Sequence, residues 1–167
     1  MKTKFLFLAL LGFLTFGTAN AQRMAYVDVS TLLDALPDYK NAQTELDRIA
    51  EQWKQDIDKE YKKIDEMYRK FRAEQVLLSD TDKKKREDDI VAAEKTVRDL
   101  QKTKFGTEGE LFKKRQALIK PIQDRVYKAI ENYANEKGYD FIFDKGTAGF
   151  LFATDKLDKT QEVLKKL

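Results

Sequence analysis

"LDRIAEQWKQDIDKEYKKIDEMYRKF", residues 46–71, is the stretch on which the fold turns. Its apolar positions are Leu46, Ile49, Trp53, Ile57, Tyr61, Ile64, Tyr68 and Phe71, separated by steps of three and four residues with one slip. That is a narrow stripe close to coiled-coil spacing. Nearly everything between is Lys, Arg, Glu, Asp or Gln, as on a solvated helical surface. The pattern predicts a helix from about Asp38 to Leu78. About forty residues of helix reach roughly 60 Å, longer than a compact domain of this size needs. "LLSDTD" (residues 77–82) then offers turn and cap chemistry. A second helical segment follows from about Asp82 to Lys137, with Ile90, Ala93, Val97 and Leu100 again at steps of three and four. Two long segments joined by a short turn predict an antiparallel hairpin over residues 41–120, its tip at residues 77–86.

Outward from the arm, the chain begins with a different kind of sequence. Lys2 and Lys4 precede the apolar run "FLFLALLGFLTF" (residues 5–16), and "ANA" ends at Ala21. This is the pattern of a secretory leader cleaved after Ala21, with an apolar run too short to span a bilayer comfortably. The net charge of +3 includes Lys2 and Lys4, so the exported remainder is close to neutral, though dense in both signs. Interspersed charge of this sort is not a nucleic-acid footprint. There is no cysteine, hence neither a disulfide nor a lipid-anchoring thiol.

The segments flanking the arm read as a small β-body, residues 22–40 and 121–167. "MAYVDVS" (residues 24–30) alternates like a strand, and "STLLDAL" suits a short helix capped by Ser30 or Thr31 and stopped before Pro37. "FGTEGELF" places Gly106 and Gly109 inside the second helical segment as a flex point, each at a cost of about 1 kcal/mol. Beyond Pro121, the residues Ile122, Val126, Ala129, Ile130 and Tyr133 make a denser apolar face. Pro121 is therefore expected to bend the helix where sparse arm meets dense body. Gly138 suits a left-handed C-cap. "YDFIFD" (residues 139–144) and "FLFA" (residues 150–153), joined by "KGTAG", predict a β-hairpin, and a last helix opens with Asp158 as N-cap and Gln161 in capping-box position. The fold class is α+β, mostly α: a long helical hairpin projecting from a small β-body.

Catalysis finds little to work with. The chain has no His and no Cys, its only serines are Ser30 and Ser79 at predicted helix starts, and no Gly-rich phosphate loop follows a strand. No enzyme, metal or cofactor is expected. Lys83, Lys84, Lys85 and Arg86 at the tip could grip anionic lipid or lipopolysaccharide, but Asp80, Asp82, Glu87, Asp88 and Asp89 surround them, which favours a solvated helix start. Of the apolar arm residues, Ile57, Tyr61, Ile64 and Tyr68 are assigned to gluing the hairpin. Trp53, Met67, Phe71, Val76, Leu77 and Leu78 are kept as adaptable contacts for apolar partners.

The order of these parts, with "YVDVSTLLDALPDYK" (residues 26–40) and above all "ALIKPIQDRVYKAIENYANEKGYDFIFDKG" (residues 117–146), resembles the Skp/OmpH family of periplasmic chaperones over essentially the whole chain after the leader. The resemblance implies a periplasmic homotrimer whose helical hairpins hold unfolded outer-membrane proteins without ATP. It also implies no catalytic residues. Mapped here, the body and oligomer core would use Tyr26, Val27, Val29, Leu33, Ile130, Phe141, Phe143, Phe150 and Phe152. Association also answers a physical need, because so few short strands and so thin a seam make a marginal core for one chain. The near-neutral arm puts any lipopolysaccharide contact on the weak side. The alternative function is a coiled-coil structural or adaptor protein of the cell envelope without general chaperone activity.

Overall fold

The computed structural model of the chain describes residues 22–167. The leader and its cleavage after Ala21 lie outside the described residues. The elements are β1 (Met24–Val27), α1 (Val29–Asp34), α2 (Pro37–Glu74), α3 (Asp80–Phe105), α4 (Glu110–Lys137), β2 (Phe141–Asp144), a 3-10 turn (Asp155–Leu157) and α5 (Thr160–Leu164). The described residues are mostly helical, with one two-stranded sheet, and they divide into two compact units. One comprises residues 22–29 and Ala129–Leu167, the other Ser30–Lys128.

The larger unit is a helical hairpin. Pro37 takes the first position of α2, where its missing N–H costs nothing, and 38 residues of helix follow. Ile57 and Ile64 on α2 meet Ile90 and Val97 on α3 in a buried core, with Met67, Phe71, Ala93 and Leu100 packed against it. Antiparallel pairing is fixed by cross-helix contacts whose numbers run in opposite directions. Arg86 pairs with Glu74 at 3.5 Å, Tyr68 bonds Glu94, Tyr61 bonds Gln101, and Arg125 pairs with Asp38 at 3.1 Å. Ser79 caps α3, accepting from the Asp82 N–H at 3.2 Å while its own hydroxyl donates to Asp82 Oδ2 at 2.6 Å.

The return limb is not one helix. It stops at Phe105 and restarts at Glu110, so Gly106 and Gly109 form a break rather than sitting inside a helix. A Cβ on Gly106 would run into the Lys102 carbonyl oxygen, and the backbone there turns to an extended ψ of 169°. Lys104 Nζ spans the break to Glu110 Oε2 at 2.6 Å. Farther on, helical geometry continues through Pro121 within α4.

The smaller unit also departs from expectation. β2 does not fold back on residues 150–153, which form no strand. It pairs in parallel with β1, in the register Met24–Phe141, Ala25–Ile142, Tyr26–Phe143 and Val27–Asp144. The "KGTAG" turn explains why. Asp144 holds the chain locally, accepting at its carboxylate from Gly146 N at 3.1 Å and at its carbonyl from Ala148 N at 2.9 Å, while Lys145 N donates to Val27 O. Phe150 therefore reaches the sheet only through its ring, 5.4 Å from that of Tyr26.

The C-terminal segment takes the other edge of β1. Lys159 N donates to Tyr26 O, and Asp28 N donates to Thr160 Oγ1, both at 2.9 Å. Asp158 is not the N-cap: α5 starts at Thr160, one residue later than the capping-box reading requires, so Lys159 takes the cap position, while Asp158 Oδ1 accepts from both Thr160 N and Thr160 Oγ1. Likewise α1 starts at Val29, which puts Ser30 and Thr31 inside the helix rather than at its cap. α4 ends as expected: Gly138 has φ +68°, and Tyr139 N reaches back to Ala134 O. Arg23 adds a cation at that end, donating to Lys137 O with its guanidinium 5.0 Å over the Tyr139 ring.

Candidate functional site

The arm's apolar side chains fall into two groups. Met67 and Phe71 are half-buried against the hairpin core, and Trp53 is held edge-on by Phe105 at 6.2 Å with Lys104 Nζ 4.6 Å over its ring. These three contribute to hairpin packing. Tyr61 and Tyr68, assigned from sequence to the glue, are the more exposed, and they bind across the hairpin by hydroxyl rather than by ring burial. Tyr61 donates to Gln101 Oε1 at 3.3 Å and Tyr68 to Glu94 Oε1 at 2.8 Å. The hydrogen bond to Glu94 raises the Tyr68 pKa above its ordinary value, and burial adds to the shift.

At the tip, Val76 and Leu77 stand almost fully exposed, at 83% and 85%, between the end of α2 and the Ser79 cap; Leu78 is half-buried. The tip cations are partly spent within the hairpin. Lys83 pairs with Asp80 at 3.4 Å and Arg86 with Glu74, leaving Lys84 and Lys85 among five acidic neighbours. Nothing in that geometry concentrates positive charge.

Several exposed apolar groups escaped the sequence reading. Val91, Phe105 and Phe112 on the return limb are 58%, 40% and 44% exposed, and Tyr127 on α4 is 54% exposed. Val91 follows directly on the buried Ile90, so a reading that keeps only steps of three and four passes over it. An apolar residue beside the stripe is the signal that would have found it.

In the smaller unit, Tyr26 and Val27 are buried, while Ile130 is half-buried, as is Val29 at the start of α1. Leu33, in the larger unit, is buried too. The four phenylalanines are not covered within one chain. Phe141, Phe143, Phe150 and Phe152 are exposed by 49%, 43%, 37% and 83%, with Phe141 and Phe143 stacked at 6.3 Å on one side of β2. Met24 and Leu151 extend the exposed apolar set. Among the described residues, no group of three or more Asp, Glu, His or Cys could hold a metal ion, and no helix is long and apolar enough to cross a membrane.

A family model for outer membrane protein (OmpH-like) matches residues 23–167. The chain belongs to the OmpH-like family. Two further likenesses agree with that assignment. An uncharacterised protein of Aquifex aeolicus (strain VF5) is 29% identical to this OmpH-like chain over 151 residues, covering 90% of it and 89% of the relative. A crystal structure of an OmpH-like protein from Caulobacter crescentus CB15, provisionally assigned as an outer membrane chaperone, superposes with a TM-score of 0.69. It covers 90% of this chain and 86% of that one, at 12% identity, and so speaks to the fold. The OmpH-like chain thus shares its fold with a solved OmpH-like protein.

Proposed function

We propose that the protein is an ATP-independent periplasmic holdase that binds unfolded outer-membrane proteins and prevents their aggregation, acting as a homotrimer and without enzymatic activity. The observation that carries this reading is the pairing of a family match across residues 23–167 with a hairpin that keeps aliphatic and aromatic groups on a charged, soluble surface. Scattered apolar contacts bind many unfolded sequences weakly, and the surrounding charge keeps the loaded chaperone in solution.

The trimer is supported by what one chain leaves open. Two four-residue strands are marginal by themselves, and Phe141, Phe143 and Phe152 offer apolar area that association would remove from water. Export to the periplasm follows from the leader pattern in residues 1–21. We assign no lipid role to the tip, since Lys83 and Arg86 are engaged within the hairpin.

The test is dilution of a urea-unfolded outer-membrane barrel protein into buffer with and without the purified chaperone, without nucleotide, followed by light scattering. Suppression that saturates near three chains per barrel protein is expected. Undiminished scattering with the protein folded would reject the holdase and favour an envelope adaptor, for which one folded partner would be sought.

A further inference from the structure

An open groove of about 620 Å³ lies along the hairpin between α2 and the end of α3. Its floor is apolar, made by Ala50, Ile57, Tyr61 and Phe105. Its rim is not: Asp47, Glu51 and Asp58 stand along one face of α2 against a single cation, Lys54.

Those rim carboxylates differ from Glu45, Asp56 and Glu60 on the same helix. Glu45 is paired with Arg48 at 2.7 Å, Asp56 with Lys59 at 3.1 Å and Glu60 with Lys63 at 2.6 Å, each three residues on. Among the described residues, Asp47, Asp58 and Lys54 have no ion-pair partner, and Glu51 accepts only from the Gln55 amide, at 3.2 Å. Three carboxylates against one lysine leave the rim of this apolar floor with an excess of negative charge, which favours a ligand that brings cations.

We propose that this groove binds an extended segment of unfolded chain in which an aromatic or large aliphatic side chain is flanked by Lys or Arg. The apolar side chain lies on Ile57 and Phe105, and the flanking cations meet Asp47 and Asp58. This rests on the holdase reading and adds to it a sequence preference: basic–aromatic segments are held in preference to acidic ones.

The chain's single tryptophan supplies the readout, since Trp53 contacts Phe105 at the groove. Three capped decapeptides would be titrated into the full protein: alternating Lys and Phe, alternating Glu and Phe, and alternating Lys and Ser. Saturable change in Trp53 emission with the Lys–Phe peptide is expected, weaker at high salt, with little change for the other two. Neutralising Asp47→Asn and Asp58→Asn, surface changes that leave the hairpin core intact, should weaken binding about two- to fivefold each. Ala50→Phe should block the floor. Equal binding of the Glu–Phe peptide, or wild-type affinity in both D47N/D58N and A50F, would overturn the proposal. The scattering assay separates the two readings. Full protection without Lys–Phe binding discards the groove alone, whereas Lys–Phe binding without protection discards the holdase and leaves the groove standing.

Discussion

Ile64 and Leu77 are both aliphatic residues of the arm, yet burial of 5% residual exposure against 85% gives them opposite jobs. Ile64→Ala removes a side chain from the hairpin core and should cost about 2–4 kcal/mol in chemical denaturation. Replacing Val76 and Leu77 together by Ser should leave stability within about 0.5 kcal/mol, as expected for surface changes. The same pair should weaken protection of an unfolded barrel protein in the scattering assay. Unchanged protection would remove the tip from the contact surface. Two tyrosines contribute to the alkaline limit: Tyr68 is raised by its hydrogen bond to Glu94, Tyr133 by burial. A raised pKa means the folded state holds the proton more tightly. Their contribution is complete below the ordinary tyrosine value of about 10 and is lost as pH rises through the folded values. Melting temperature should therefore fall on alkaline titration, and Tyr68→Phe should flatten part of that fall. The stripe that places Ile57 and Ile64 in the core was legible in the sequence, because a helix of period 3.6 must stack every third or fourth side chain on one face. Which stripe residue is covered and which only bonds by its hydroxyl was not, since that depends on what the opposite helix presents.

The helical hairpin shows where spacing stops being informative. Its two limbs and the Ser79 turn follow from apolar period and cap residues, both local signals. The break at Gly106–Gly109 follows from two glycines whose cost a helix can absorb or refuse. Here the limb refuses it, and the Lys102 carbonyl occupies the space a Cβ would need. Gly106→Ala should lower the melting temperature and speed amide exchange around residues 103–110. A more stable variant would mean the two helices fuse readily. The small sheet was misread for a different reason. Alternation in "YDFIFD" announces a strand but carries no partner, and the nearest alternating run, "FLFA", suggested an antiparallel return. The true partner of β2 is β1, at the far end of the chain, and only the contacts of Asp144, Lys145 and Lys159 with that strand reveal it.

For the whole molecule, the uncovered phenylalanines carry the prediction about assembly. Phe141→Ser and Phe143→Ser together should dissociate the proposed trimer in sedimentation while leaving the hairpin's helical signal largely intact. A trimer that persists would place the subunit contacts elsewhere. Removing residues 53–111 should give the reverse, a trimer without client protection. The parallel pairing of β1 with β2 also dictates an order of events. Strands beginning at Met24 and Phe141 meet only after everything between them has been synthesised, and the other edge of β1 waits longer still, for Lys159 and Thr160. Joining such distant ends through a loose coil would be entropically costly and slow. The hairpin shortens the search, because Asp38 and Arg125 already stand side by side once α2 and the return limb have zipped. Refolding should therefore show a fast helical phase that does not depend on protein concentration, followed by a slower one as the strands close. The first strand to be made is among the last to find its place, so a chain cut short at its C-terminus keeps an unpaired β edge.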